Sequence, residues 1–187
     1  MAASEPHPFA PARVPAIRSH PMLTSSRWVR GLIAGLAGGL AWFVGTLLFF
    51  GPAQAILTDP KLQSAKLLDA FAGEPAPRTG DAPWLLAIML LGIGVLWGWV
   101  YVWLSDAWPG AWWKRGLRFG VVGWVLMVPW FELYLPWNVL REPAPLVALE
   151  LACWMGVLLG VGLTIAGVER ALRRGERRPE GIVHEQR

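Results

Sequence analysis

GLIAGLAGGLAWFVGTLLFF, residues 31–50 of this chain, is a run of twenty residues without a single charge. At about 1.5 Å per helical residue, such a run spans about 30 Å, which is the thickness of the hydrocarbon core of a bilayer. The length and the composition together predict a transmembrane helix rather than the core helix of a soluble domain.

Three further apolar blocks, at about residues 84–104, 117–135 and 146–168, have similar lengths. The sequence therefore predicts an all-α membrane protein, with a bundle of four transmembrane helices within residues 28–169 (the first at about 31–50). A proline-rich tail, residues 1–27, is expected to be disordered, and a basic tail, residues 170–187, follows the bundle. Only 16% of the residues are charged, against about 25% in soluble domains, and 13 tryptophans fit a chain with several membrane interfaces.

The first block has an alternative interpretation as a cleaved signal peptide. Arg27 and Arg30 precede it, and an A-x-A motif follows at residues 53–55. The apolar run is long for a signal sequence, which favours a retained helix, but both readings stay open.

The distribution of lysine and arginine predicts the orientation. With four helices, 13 of the 17 basic residues fall on the side of the two termini and 4 fall on the other side. Because basic residues are enriched in cytoplasmic segments, we expect both termini in the cytoplasm and the chain in the inner, or plasma, membrane.

The first outer loop, residues 51–82, contains a candidate amphipathic helix at residues 59–71. Asp59 is the predicted N-cap and Pro60 the predicted first helical residue. Such a helix either lies in the membrane interface or covers the outer end of the bundle, and the sequence leaves both open.

Small residues recur at four-residue steps in every apolar block. We expect close helix packing at these positions, because membrane helices associate through small residues that let their backbones approach. The same seams could join two copies of the chain. The candidate packing residues are Gly31, Gly35 and Gly39 in the first block and Gly156 and Gly160 in the fourth.

Two acids inside apolar runs form the candidate polar site. Glu132 lies four residues before Pro136, the predicted end of the third helix, and Glu150 lies close to the start of the fourth, so both are expected at similar depth near the outer end. One interpretation is a two-carboxylate site for a proton or cation. The other, which the sequence favours, is structural, with the acids paired to Arg141 or to nearby aromatic edges. The neighbouring polar residues are Asn138, Tyr134 and Arg141.

Several enzyme and cofactor classes lack their ligands in this sequence. The only cysteine is Cys153, and the histidines, His7, His20 and His184, all lie in the tails, so paired haem ligands and zinc motifs within the helices are absent. We therefore expect no cofactor and no bound metal, and a protein that is not an enzyme.

The favoured function is that of an accessory, assembly or stress-related membrane subunit. The alternative is an oligomeric transporter or channel that uses Glu132 and Glu150, and a lipid enzyme using the same acids is the least favoured. Expected partners are the lipid bilayer, other membrane proteins or a second copy of the chain, with no nucleic acid.

Overall fold

The computed structural model describes residues 25–73 and 77–176, which are mostly helical and include no β-strand. Four helices in these ranges are long and apolar enough to cross a membrane, which confirms the predicted helical, multi-pass class. They are α1 (Ser25–Leu57), α4 (Pro83–Leu104), α5 (Trp112–Glu132) and α6 (Ala144–Glu176), and a π-helical segment, Leu133–Val139, continues α5. Two short helices, α2 (Ala65–Ala72) and α3 (Arg78–Asp81), lie between α1 and α4.

The helices extend beyond the apolar blocks that predict them. Both α1 and α6 have 33 residues, or about 50 Å. Residues 170–176, predicted as the start of the C-terminal tail, belong to α6, because alanine, leucine and arginine favour helix and no proline interrupts them. Helix α1 likewise begins inside the predicted N-terminal tail. The remainder of both tails, residues 1–24 and 177–187, lies outside the described residues.

Close backbone contacts join α1 to α4. Helix α1 packs on α4 on one side and on α6 on the other, and α6 in turn packs on α5. A Cβ atom added at Gly35 would lie 2.5 Å from the Cα atom of Val95, and one added at Gly98 would lie 2.6 Å from the Cα atom of Gly35. Only glycine fits such an approach, and Gly31 and Gly39 also lie against α4.

Of the two glycines predicted as packing positions on α6, Gly156 lies against a neighbouring helix and Gly160 does not. A Cβ atom at Gly156 would meet the ring of Phe49, whereas nothing lies within 4 Å of one at Gly160. The glycine that α6 sets against the α5 backbone is Gly162, which faces Gly116. The four-residue pattern thus locates a seam on α6 but not the face that contacts the neighbouring helix.

Aromatic side chains fill the space between α4 and α5. The Trp97 ring of α4 lies over Gly123 of α5 and makes an edge contact with Phe119, with 5.3 Å between ring centroids. Tyr101 contacts the same Phe119 ring at 5.2 Å. These bulky rings replace the close backbone contact seen between α1 and α4.

The first loop differs from its prediction at the helix start. The N-cap of α2 is Ser64, whose hydroxyl accepts a hydrogen bond from the Leu67 amide, so the prediction of Asp59 as N-cap is wrong. Asp59 instead accepts from the Lys61 amide, a local turn contact that acidic side chains favour.

On α2, the Leu67 side chain is buried and Phe71 is exposed. The placement of α2 in the membrane interface stays a prediction, and residues 74–76 of the linker lie outside the described residues.

We name the two ends of the bundle by their charges. The acidic end holds Glu132, Glu142 and Glu150, and the basic end holds the start of α1, the α4–α5 loop and the end of α6.

At the basic end, Asp106 pairs with Arg27 at 2.7 Å and with Arg173 at 2.8 Å. Burial alone would raise the pKa of Asp106, but the hydrogen bond and charge of Arg173, with the charges of Arg27 and Arg30, outweigh it and lower that pKa. An ionised Asp106 therefore ties α1 to α6.

Candidate proton site at the acidic end

The first carboxyl of the site is Glu132, the last residue of α5. Its side chain is only 2% exposed. One carboxyl oxygen, Oε1, accepts a hydrogen bond of 2.8 Å from the indole nitrogen of Trp154 on α6. The other, Oε2, is buried and has no hydrogen-bond donor. A buried acid with one neutral donor and no cation is costly in its ionised form.

A π-helical segment fixes the chain that follows Glu132. The sequence predicts that Pro136 ends the third helix, but the helix continues through Val139 with wider turns. Pro136 has no amide hydrogen to donate, and its carbonyl accepts from the amide of Glu142 at 2.9 Å. This bond returns the chain to the bundle and places Glu142 above α6.

Glu142 is the second carboxyl, and the sequence analysis missed it. It is 2% exposed, and its Oε1 atom accepts a hydrogen bond of 2.7 Å from the side-chain amide of Gln63. Its Oε2 atom is buried without a donor. Its position two residues before α6 is a signal that could have identified it, since helix starts favour acids.

Glu150 joins the other two acids. It is half-buried on the first turns of α6, and its carboxyl lies within hydrogen-bonding reach of the carboxyls of both Glu132 and Glu142. An ionised carboxylate has no hydrogen to donate, so a bond between two of these groups requires a proton on one of them. The structure thus brings the two predicted acids together and adds a third.

Arg141 does not pair with either acid, whereas the other contact named in the structural interpretation, an aromatic edge, is present at Glu132, which accepts from the Trp154 indole nitrogen. No ion pair among the described residues includes Arg141. Arg141 has a φ angle of +61° and is exposed, whereas the next residue, Glu142, is buried. Among the described residues, none of the three acids forms an ion pair with a basic side chain.

The remaining predicted residues lie at the rim of the site or away from it. Asn138 and Arg141 line a cavity of about 210 Å³ with Trp137 and Glu142, so this cavity opens onto one acid of the cluster. Tyr134 is exposed and stacks on Trp130, with 5.5 Å between ring centroids. It belongs to the aromatic outer surface of α5 rather than to the site.

Apolar side chains separate the acidic end from the basic end. On α6, Val157, Leu158, Val161 and Ile165 are fully buried. The Trp154 ring, whose nitrogen binds Glu132, packs on Trp42 with 6.2 Å between ring centroids. Within the described ranges, no group of three or more histidine, cysteine or acidic side chains is arranged to hold a metal ion. Two neighbouring carboxyl groups can share a proton, because the protonated one donates to the other.

The fold and this site define a class, a multi-pass helical membrane protein with a buried carboxyl cluster near one end. Comparison with protein-family models, with curated proteins and with solved structures finds no match for this chain.

Proposed function

We propose that this protein is a non-enzymatic accessory subunit of the inner membrane whose outer end responds to protonation. In this proposal both termini are cytoplasmic, the acidic end faces outward, and the chain works by packing against another membrane protein or a second copy, with no nucleic-acid partner. The orientation is supported by the basic residues, 13 of 17 of which fall on the side of the termini.

The observation that carries the proposal is a carboxyl cluster that is open on one side and closed on the other. The cavity lined by Asn138, Arg141 and Glu142 opens onto one acid of the cluster. Below Glu132, the fully buried Val157 and Leu158 and the packed aromatic rings form an apolar layer beneath the cluster. A single chain of this kind binds a proton from the outside but does not conduct it.

The cluster is coupled to the outer loop through Gln63. The Gln63 side-chain amide donates to Glu142 and also to the Leu57 carbonyl at 3.0 Å, where α1 ends. The next residue, Ser64, donates its hydroxyl to the Leu140 carbonyl at 2.6 Å. A change in the protonation of Glu142 therefore alters its hydrogen bond with Gln63, which helps to hold α2 against the rest of the acidic end.

The other titratable groups around the cluster do not neutralise it. From α6, the Cys153 thiol donates to the Phe49 carbonyl at 3.5 Å, and from α2, the Lys66 ammonium donates to the Val139 carbonyl at 3.3 Å. Arg141 is the remaining basic group nearby and is exposed. Since three like-charged groups at one site disfavour full ionisation, the cluster retains a proton in this proposal.

Reconstituted liposomes test the proposal. A pH-sensitive dye is trapped inside, and a potassium gradient with valinomycin drives proton entry. We expect wild-type liposomes to acidify no faster than protein-free ones, because the apolar layer blocks the path. We also expect the protein, extracted from its native membrane in mild detergent, to migrate with a stoichiometric protein partner or as an oligomer. A monomer that conducts protons would contradict the proposal.

The second candidate function is an oligomeric proton transporter, and the cavity that opens at Glu142 is the observation that favours it. In that case several copies of the chain together would form a proton path across the membrane. Proton entry in the same assay would then exceed that of protein-free liposomes and would be abolished by Glu132→Gln. Asp69→Asn, which removes an exposed acid of α2, is the matched control and would leave the rate unchanged.

A further inference from the structure

The basic end contains a pocket at the junction of three membrane helices. Its volume is about 200 Å³. Tyr101 of α4 and Glu169 of α6 contribute to its wall, and four arginines surround it: Arg115, Arg170, Arg173 and Arg174. A second cavity of about 430 Å³ shares Trp112, Arg115 and Arg170 with it and extends to Trp113.

The positive charge in this pocket exceeds the negative charge. Glu169 already forms an ion pair with Arg173. Within the described part of the chain, Arg115, Arg170 and Arg174 form no ion pair with a carboxylate. Buried and half-buried charges in proteins are usually paired, so the pocket has an excess of guanidinium groups over its own anions.

The guanidinium groups are oriented rather than free. The Arg170 guanidinium lies over the Trp112 ring, 5.5 Å from its centroid. Arg115 donates from Nη1 to the Ser105 carbonyl at 3.2 Å, and its Nε atom is buried without an acceptor. A fixed guanidinium with an unused donor is suited to a phosphate oxygen, which accepts several such bonds.

We propose that this pocket binds the phosphate group of an anionic membrane lipid. The group that Arg115, Arg170 and Arg174 would bind is a phosphate ester. A soluble phosphate compound carries the same group and is the alternative ligand. The lipid is favoured because Trp112 and Trp113 mark this level as a membrane interface, where basic pockets between helices receive lipid headgroups. The pocket lies at the opposite end from the carboxyl cluster and does not depend on its function.

Native mass spectrometry of the detergent-solubilised full chain tests this site. The probes are phosphatidylglycerol, phosphatidylcholine of the same acyl chains, and inorganic phosphate. We expect retained phosphatidylglycerol and little phosphatidylcholine. Arg170→Gln should weaken phosphatidylglycerol binding by about tenfold, because it removes one charged hydrogen-bond donor. Arg174→Gln, at an exposed position with no ion pair to lose, is the second variant should Arg170→Gln fail to fold.

The control is Arg118→Gln on α5, which removes the same charge from the same basic end of the bundle at an exposed position outside the pocket. It should leave phosphatidylglycerol binding within about twofold of the wild-type value, well short of the tenfold loss expected in the pocket. An equal loss in the control would overturn the site, because binding would then follow net charge alone. Equal retention of both lipids would also overturn it. Displacement of the lipid by inorganic phosphate at comparable concentration would overturn the lipid assignment in favour of a soluble phosphate compound.

Discussion

At the scale of single residues, the stability of the acidic end depends on the hydrogen bonds that the Glu132 carboxyl group makes. Its Oε1 atom accepts from Trp154, while Oε2 lacks a donor although the side chain is 2% exposed. A proton shared with Glu150 removes this deficit, because a protonated carboxyl both donates and accepts. The cluster is thus stable with fewer negative charges than carboxyl groups.

Glu132→Gln should therefore preserve the fold. A glutamine can keep the acceptor for Trp154 and offer its amide hydrogens to Glu150, so we expect a melting temperature in detergent equal to or above that of the wild type. Glu132→Leu, the matched control, removes the acceptor and leaves the Trp154 donor unpaired, at a cost of about 1–3 kcal/mol. Equal destabilisation by the two variants would show that the ionised carboxylate itself holds the structure.

The sequence indicates part of this site and omits the rest for a physical reason. Glu132 and Glu150 stand out because acids inside apolar runs are rare. Glu142 and Gln63 stand out much less, because both lie in polar connecting segments and are 79 residues apart in the chain. Their contact arises from tertiary packing, which residue spacing does not report. Arg141 forms no ion pair among the described residues, and the positive φ angle of its turn cannot be inferred from residue spacing.

At the scale of helices, glycine spacing indicates seams but not the faces that form them. Gly35 and Gly39 contact the α4 backbone, whereas Gly160, on an equally regular pattern, has open space beside it. The apolar length predicts the existence of each transmembrane helix well. The helix ends are less predictable, since α6 continues through charged residues and α5 continues past Pro136 as a π-helix.

Gly35→Ala should separate α1 from α4. The added methyl group would lie 2.5 Å from the Val95 Cα atom and 2.6 Å from the Gly94 carbonyl oxygen, so the backbones must move apart. We expect a lower melting temperature and a lower yield of the compact form on size-exclusion chromatography.

Gly92→Ala is the control for this seam, because it lies on α4 with nothing within 4 Å of the added atom. It should be neutral or stabilising, by up to about 1 kcal/mol from helix propensity. If both variants behave alike, the α1–α4 contact does not hold the bundle together.

At the scale of the whole molecule, two charged ends are separated by an apolar middle. Ion pairs through Asp106 close the basic end, and the cluster of Glu132, Glu142 and Glu150 lies at the acidic end. Fully buried side chains such as Val161 and Ile165 lie between them. The proposed proton-responsive site and the proposed lipid-phosphate pocket therefore lie at opposite ends of the bundle.

Infrared spectroscopy of the purified protein at neutral pH tests the shared proton most directly. We predict a carbonyl stretching band of a protonated carboxyl group in the wild-type protein. Glu150→Gln should remove this band, because its amide can donate to both neighbouring acids and lets them ionise, while the control Asp69→Asn should retain it. The absence of the band from the wild-type protein would contradict a carboxyl cluster that holds a proton, whereas its survival in Glu150→Gln would assign the proton to Glu132 or Glu142.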